Sequence, residues 1–301
     1  MIYLQLAAHL FLLLFWTRCW VKPEHSFYFN PFLSGTARLV DTVLGFLRPA
    51  LRLPDRLAAV MVLALLWAFQ VMFFARFGKP WQLTLGLVQF TPPTESFAWG
   101  LQFAYSGLYT AEFLIQAWTV YFFSRLIAAP NRTTRAQEAF AFFTAPFSRL
   151  PLPLQPLLLL ALHAALVFAV IGAGALPHFL DIAQDEGKAI PPEIFAGGSG
   201  WAQTKILWLA LMSFASGLQT LMYTLIFFLF GGLAAVLFGA KTPALICRES
   251  ADVLLGRFAR NPATIGGGFD FTPVLFIIAV SLINGQLQML LGHLILMNPP
   301  S

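Results

Sequence analysis

A carboxyl group inside an apolar stretch is the first candidate for chemistry. Glu112 is the one acidic residue placed well inside a predicted membrane span, residues 97–123. An acid in a membrane segment is costly, so it either serves a function or forms a bridge to serine, glutamine or backbone groups of another helix. Both interpretations stay open. A path for an ion or small solute would need more polar groups, and the candidates are Gln116, Asn284, Gln286 and Gln288.

Two histidines lie in other apolar stretches. His163 and His293 fall within residues 154–176 and 274–297. An imidazole can ligate a haem or pigment, or it can be a hydrogen-bonded packing residue, and both alternatives stay open. No Ser-His-Asp set, HExxH motif or phosphate loop is present, so we expect no enzymatic activity, no catalytic residue and no metal site. The small molecule that we expect to be bound is a lipid.

A second set of residues recurs three times at one spacing. Each copy has an arginine, a proline two residues later and an acid eleven residues earlier, and a residue suited to capping a helix lies eighteen residues before each arginine. The three copies are Asp41, Arg52 and Pro54; Glu138, Arg149 and Pro151; and Glu249, Arg260 and Pro262.

The acid and the arginine of one copy cannot pair within their own helix, because eleven residues span about 16 Å along a helix axis. One interpretation places each acid in the first helical turn and each arginine near the end, where both suit the helix dipole. The other interpretation pairs the acid of one repeat with the arginine of the next.

The elements that must position these residues are membrane helices. The chain has 301 residues, of which 58% are hydrophobic and only 10% are charged. Soluble domains carry about a quarter charged residues, so this is the composition of an integral membrane protein. Each repeat core reads as an amphipathic helix; in the first, Val40 and Leu44 recur opposite Arg38 and Asp41.

The sequence therefore predicts an all-α polytopic membrane protein. It has about six transmembrane helices, arranged in three repeats of span, amphipathic helix and span. The predicted repeats are residues 1–96, with spans 1–17 and 57–75; 97–200, with spans 97–123 and 154–176; and 201–301, with spans 204–238 and 274–297.

The basic residues predict the topology. Fourteen of the eighteen lysines and arginines lie in three connections, residues 18–55 with Arg56 at their edge, 124–153 and 239–270. Basic connections face the cytoplasm, so we expect both termini outside, in a bacterial inner membrane. The basic excess is therefore a topology signal. We expect lipid and other integral membrane proteins as partners, and no nucleic acid.

Several of these motifs resemble those of the YggT family of small membrane proteins. The resembling segments are Asn30-Pro31, Arg48-Pro49, Arg52 with Pro54, and Gly267-Gly-Phe-Asp270-Phe-Thr-Pro273. Members usually carry one or two units, so three units are a departure, and the second copy has Leu152-Pro-Leu-Gln-Pro156 in place of the glycine-aspartate turn. The family is linked to the assembly of membrane complexes, including cytochrome-bf biogenesis, to osmotic stress and to division-related roles. The resemblance implies a non-enzymatic membrane factor.

Two functions of different classes follow. The first is a scaffold, assembly factor or accessory subunit that packs against a larger membrane complex. The second is a channel-like or transporter-like conduit for an ion or small solute.

Overall fold

The structure is a computed structural model. It describes residues 2–21, 29–51, 54–77, 83–91, 99–128, 134–179, 200–260, 264–265 and 269–296. Arg52, Pro262 and the Gly267-Gly pair, which the sequence analysis singled out, lie outside the described residues.

Most of the described chain is helical, with three short 3-10 helices at Phe147–Arg149, Leu152–Leu154 and Phe258–Arg260. The α-helices are α1 (Ile2–Trp20), α2 (Ser34–Leu51), α3 (Asp55–Phe77), α4 (Trp99–Ile127), α5 (Arg135–Phe143), α6 (Gln155–Gly172), α7 (Gly200–Leu237), α8 (Lys241–Leu255) and α9 (Thr272–Leu296). The strands are β1 (Leu83–Leu85), β2 (Val88–Thr91), β3 (Leu176–Phe179), β4 (Thr264–Ile265) and β5 (Phe269–Asp270).

Four helical segments of the described chain are long and apolar enough to cross a membrane. They are Asp55–Phe73, Leu152–Gly172, Gln203–Leu237 and Thr272–Leu296. They coincide with the predicted spans 57–75, 154–176, 204–238 and 274–297. The described parts of the predicted spans 1–17 and 97–123 are helical and belong to α1 and α4, but they are not among these four segments. The chain is therefore a helical membrane protein.

The chain forms two compact units. The first comprises Met1–Trp67, Val120–Pro151 and Leu221–Ile278, and the second comprises Ala68–Thr119, Leu152–Thr220 and Ala279–Ser301. In the first unit, α1, α2 and α3 pack their apolar faces together, and the shared core is formed by Phe15, Val40, Leu44, Ala58, Ala59 and Val62. The predicted apolar face of α2 is confirmed, since Val40 and Leu44 are buried.

The second unit contains a small sheet that the all-α prediction missed. Strand β2 pairs antiparallel with β1 and with β3, so that Leu85 lies opposite Val88 and Phe90 opposite Pro177. Alternate residues of β1 and β2 are buried, including Leu83, Leu85, Val88 and Phe90. These side chains join apolar residues of α4, α6, α7 and α9 in one core. The alternation was visible in the sequence, but each run is only three or four residues long.

Each predicted repeat core contains an α-helix in its described part, and the second and third cores also contain a 3-10 helix. The first core is a continuous eighteen-residue helix, α2. The second and third break into a short 3-10 helix that ends at Arg149 and Arg260 respectively. A local cause is visible in both, because Pro146 precedes one 3-10 helix and Gly256, with φ of 55°, precedes the other. In the second core, Thr134-Arg-Ala-Gln137 has the sequence of a capping box, and one of its two hydrogen bonds is described, since the Thr134 side chain accepts from Gln137 N at 3.2 Å.

Candidate functional site

The second unit holds a buried polar cluster, which we define as Gln116, Thr119, His163, Ser213 and Ser216. His163 lies in the middle of α6 and is fully buried, as are Thr119 of α4 and Ser213 of α7. The imidazole lies between two hydroxyls, with Nδ1 2.8 Å from Ser213 Oγ and Nε2 3.1 Å from Thr119 Oγ1. His163 therefore links three apolar helices through side-chain hydrogen bonds.

The tautomer of His163 follows from the geometry. The Thr119 hydroxyl already donates to Ile115 O at 2.7 Å. A hydroxyl has one proton to donate, so toward the imidazole it can only accept. We therefore assign the proton to Nε2, which leaves Nδ1 to accept from Ser213. This assignment requires a neutral ring and satisfies both nitrogens.

Gln116 extends the cluster along α4. Its Nε2 donates to Ser216 Oγ at 2.9 Å and to Ser213 O at 3.3 Å. Ser216 in turn donates to Ser213 O at 2.6 Å. Gln116 lies three residues before Thr119, so both side chains are on the same face of α4. The structure thus brings Gln116 and His163 into one hydrogen-bonded set, although the sequence analysis had placed them in different hypotheses.

Glu112 lies one helical turn before Gln116 on that face and is half-buried. Within the described part of the chain, the two ion pairs both involve Arg18, and neither includes Glu112. The side-chain contacts that the structure describes between this face of α4 and the serines of α7 are made by Gln116.

The other polar candidates are separate from the cluster. Gln288 donates to Met212 O at 2.9 Å and lies 3.5 Å from Asn284 Oδ1, whereas Gln286 and His293 are exposed. Both ring nitrogens of His163 lie within hydrogen-bond distance of hydroxyls. No group of three histidine, cysteine, aspartate or glutamate residues in the described chain could hold a metal ion.

Hydroxyl residues of apolar helices are the part of the cluster that the sequence analysis missed. Thr119, Ser213 and Ser216 are unremarkable in sequence, because small hydroxyl residues are common in membrane helices. The available signal was the spacing of Ser213, Ser216 and Thr220, which puts three hydroxyls on one side of an apolar helix.

The acids of the three predicted repeats differ in their ion pairs and in their positions along their helices. Asp41 Oδ1 lies 2.8 Å from Arg18 Nη2, and Asp55 Oδ2 lies 3.7 Å from the same atom. The ion pair described for Asp41 thus joins it to an arginine of its own predicted repeat, and the pairing of repeat acids with the arginine of the next repeat stays a prediction. The interpretation by helix dipole fits Glu138, which is in the first turn of α5, but not Asp41 or Glu249.

Backbone contacts connect the repeat cores. Asn30 Nδ2 donates to Arg135 O at 3.2 Å and joins the first core to the start of the second. Arg257 donates from its backbone N to Ile127 O at 2.9 Å and from Nε to Ala128 O at 3.3 Å, which joins the third core to the segment before the second. Within its own segment, Asn30 Oδ1 accepts from Phe32 N at 3.0 Å.

The aspartate of the glycine-rich motif caps a helix. Asp270 Oδ1 accepts from Thr272 N at 2.9 Å, at the start of α9. Hydrogen bonds from Thr272 lower the pKa of the Asp270 carboxyl, so it stays charged. Pro273 follows in the first turn, where its missing N–H has no helical partner to lose.

Comparison with known proteins adds no relative to this picture. No family model, no curated protein and no solved structure matches the chain. The fold and the cluster define the class, a helical polytopic membrane protein. The resemblance to the YggT family rests on the motif residues themselves.

Proposed function

We propose that the protein is a non-enzymatic scaffold, assembly factor or accessory subunit of a larger membrane complex, of the kind the YggT resemblance implies. The observation that carries this proposal is the length of the apolar part of α7. Its continuous apolar segment, Gln203–Leu237, has 35 residues.

That length exceeds what a bilayer accommodates. At 1.5 Å per residue the segment is about 52 Å long, against a hydrocarbon core of about 30 Å. Even at a tilt of about 40°, near the limit seen for membrane helices, the core holds only about 26 residues. Roughly nine apolar residues are then left outside the hydrocarbon, and another protein surface would cover them.

The C-terminal part of α7 offers the surface for such a partner. Large apolar side chains there are exposed, from Phe227 and Phe230 to Leu237, and Phe238 directly after the helix is 87% exposed. Exposed apolar patches of this kind mark protein or membrane contacts, and aromatic residues are the usual anchors of interfaces.

We further propose the full arrangement of six spans in three repeats, with both termini outside a bacterial inner membrane. The charge distribution supports it, because the connections 18–55, 124–153 and 239–270 carry most basic residues. Single cysteines at positions 132 and 248 should react with a membrane-impermeant reagent only from the cytoplasmic side. Labelling of either position from outside would contradict the topology.

Affinity capture from native membranes after mild solubilisation tests the scaffold proposal. We expect a partner in stoichiometric amount, and we expect Phe230→Ala combined with Leu237→Ala to weaken its binding by at least about thirtyfold, since exposed interface anchors each contribute about 1–2 kcal/mol. Phe46→Ala is the matched control, because Phe46 is similarly exposed, at 77%, but belongs to a different helix, α2. Equal loss in both variants, or no partner at all, would count against the proposal.

A conduit for an ion or small solute is the second candidate function, and the polar cluster favours it. Glu112, Gln116 and Thr119 form a polar row on one face of α4, which continues to His163 and Ser213. Solute flux in liposomes that contain only the purified protein, and loss of that flux in Glu112→Gln, would favour the conduit over the scaffold.

A further inference from the structure

The first unit contains an open groove that borders the exposed apolar surface of α7 and shares Leu233 and Val236 with it. It has a volume of about 480 Å³ and lies between the C-terminal part of α7, the helix α8 and the start of α9. Helices α7 and α8 approach closely here, since a Cβ atom added at Gly231 or Gly232 would lie 3.3 Å from Cys247. The volume falls in the range of small-molecule sites.

The groove is apolar along one side and charged at one end. The wall from α7 includes Leu229, Leu233 and Val236, of which Leu233 and Val236 are more than half exposed. The charged end is formed by Arg248 and Asp252 of α8 and by Asp270 before α9. The spacing of Arg248 and Asp252 puts them one turn apart on one helix face.

These charged groups are available to a ligand. Both ion pairs in the described chain lie elsewhere, at Arg18. Asp270 uses Oδ1 to cap α9 and remains exposed, as do Arg248 and Asp252. Partial burial raises the pKa of Asp252, the positive charge of Arg248 lowers it and the negative charge of Asp270 raises it. Asp252 therefore interacts with both groups, and a cation placed between the two carboxylates would relieve their repulsion.

We propose that this groove binds a zwitterionic aminophospholipid. Arg248 binds the phosphate, Asp252 and Asp270 accept hydrogen bonds from the primary ammonium group, and an acyl chain lies along the apolar wall of α7. Charge complementarity selects this occupant, since one positive and two negative side chains match a phosphate next to an amine. A choline headgroup has no N–H to donate, and a glycerol headgroup has no positive charge.

Binding of defined lipids to the delipidated full-length protein in mild detergent, measured by native mass spectrometry, tests this assignment. We expect phosphatidylethanolamine to bind about tenfold more tightly than phosphatidylcholine or phosphatidylglycerol, the factor that one charge-assisted hydrogen bond of about 1.4 kcal/mol gives. Soluble phosphoethanolamine should not bind measurably, because it lacks the acyl chain. Equal or tighter binding of phosphatidylglycerol, or binding of phosphoethanolamine as tight as that of the lipid, would overturn the proposal.

Variants test the assigned side chains. Asp252→Asn should abolish the preference for phosphatidylethanolamine. Arg248→Gln should weaken the binding of all three phospholipids to the same extent. Glu249→Gln and Lys241→Gln are the matched controls, because both residues belong to α8 but do not line the groove. An unchanged preference in Asp252→Asn would contradict the proposal. The comparison of lipids uses the unmodified protein, so it holds even where a variant fails to fold.

Discussion

Replacing Gly256 with alanine is expected to destabilise the protein by more than about 3 kcal/mol, which is enough to prevent its accumulation in the membrane. Gly256 follows α8 with φ of 55° and ψ of −116°, a conformation that is essentially restricted to glycine. A Cβ atom there would overlap the backbone carbonyl of Ile127, which cannot move aside as a side chain can. The same approach lets Arg257 N donate to Ile127 O, so a shift would also break that hydrogen bond.

Gly239→Ala separates the cost of the backbone conformation from the cost of the overlap with Ile127. Gly239 also has a positive φ, of 70°, but a Cβ atom there meets no other atom within 4 Å. Only the conformational cost of about 1 kcal/mol then applies. Thermal unfolding in detergent measures both variants. Similar melting temperatures for Gly239→Ala and Gly256→Ala would mean that the contact with Ile127 is not important.

Replacing Asp41 with asparagine is expected to cost about 2–4 kcal/mol, because it leaves the buried guanidinium of Arg18 without its close counter-charge. Arg18 is 9% exposed and Asp41 28% exposed, whereas Asp55, at 3.7 Å, is 51% exposed and compensates only partly. Asparagine has nearly the same shape as aspartate, so the change removes charge rather than volume.

Glu138→Gln is the control for Asp41→Asn. Glu138 occupies the corresponding position of the second repeat but is exposed in the first turn of α5. We expect a change within about 0.5 kcal/mol, as for ordinary surface substitutions. If thermal unfolding in detergent shows equal losses for the two variants, the acids act through their common repeat position and the pair with Arg18 is not decisive.

Hydropathy was sufficient to predict the helical membrane class and the positions of four long apolar helices. The signal is strong because a membrane helix needs about twenty apolar residues in a row. The strands β1 and β2 escaped prediction because runs of three or four residues gain their order from the helices that cover them. Gly86 illustrates this, since a Cβ atom there would meet side chains of Met212 and Gln288, both distant in sequence.

Side-chain partners were the part that the sequence could not supply. Arg18 and Asp41 are 23 residues apart, and His163 meets Thr119 and Ser213 across 44 and 50 residues. Sequence spacing predicts only contacts between residues one or two turns apart on the same helix. Pairs that are more distant in sequence depend on how whole helices pack. The repeat spacing drew attention to Asp41, but it gave no indication of the ion pair with Arg18.

The fully satisfied imidazole of His163 has a consequence for how the chain can vary. Replacing only Ser213 or only Thr119 with an apolar residue leaves a buried ring nitrogen without its hydrogen-bond partner, which lowers the stability by about 1–3 kcal/mol. Replacing all three residues with apolar residues of matching shape can be nearly neutral. Intermediate sequences are therefore penalised while both end states are viable. Residues 119, 163 and 213 are therefore expected to co-vary among related sequences, so that all three positions are polar or all three are apolar.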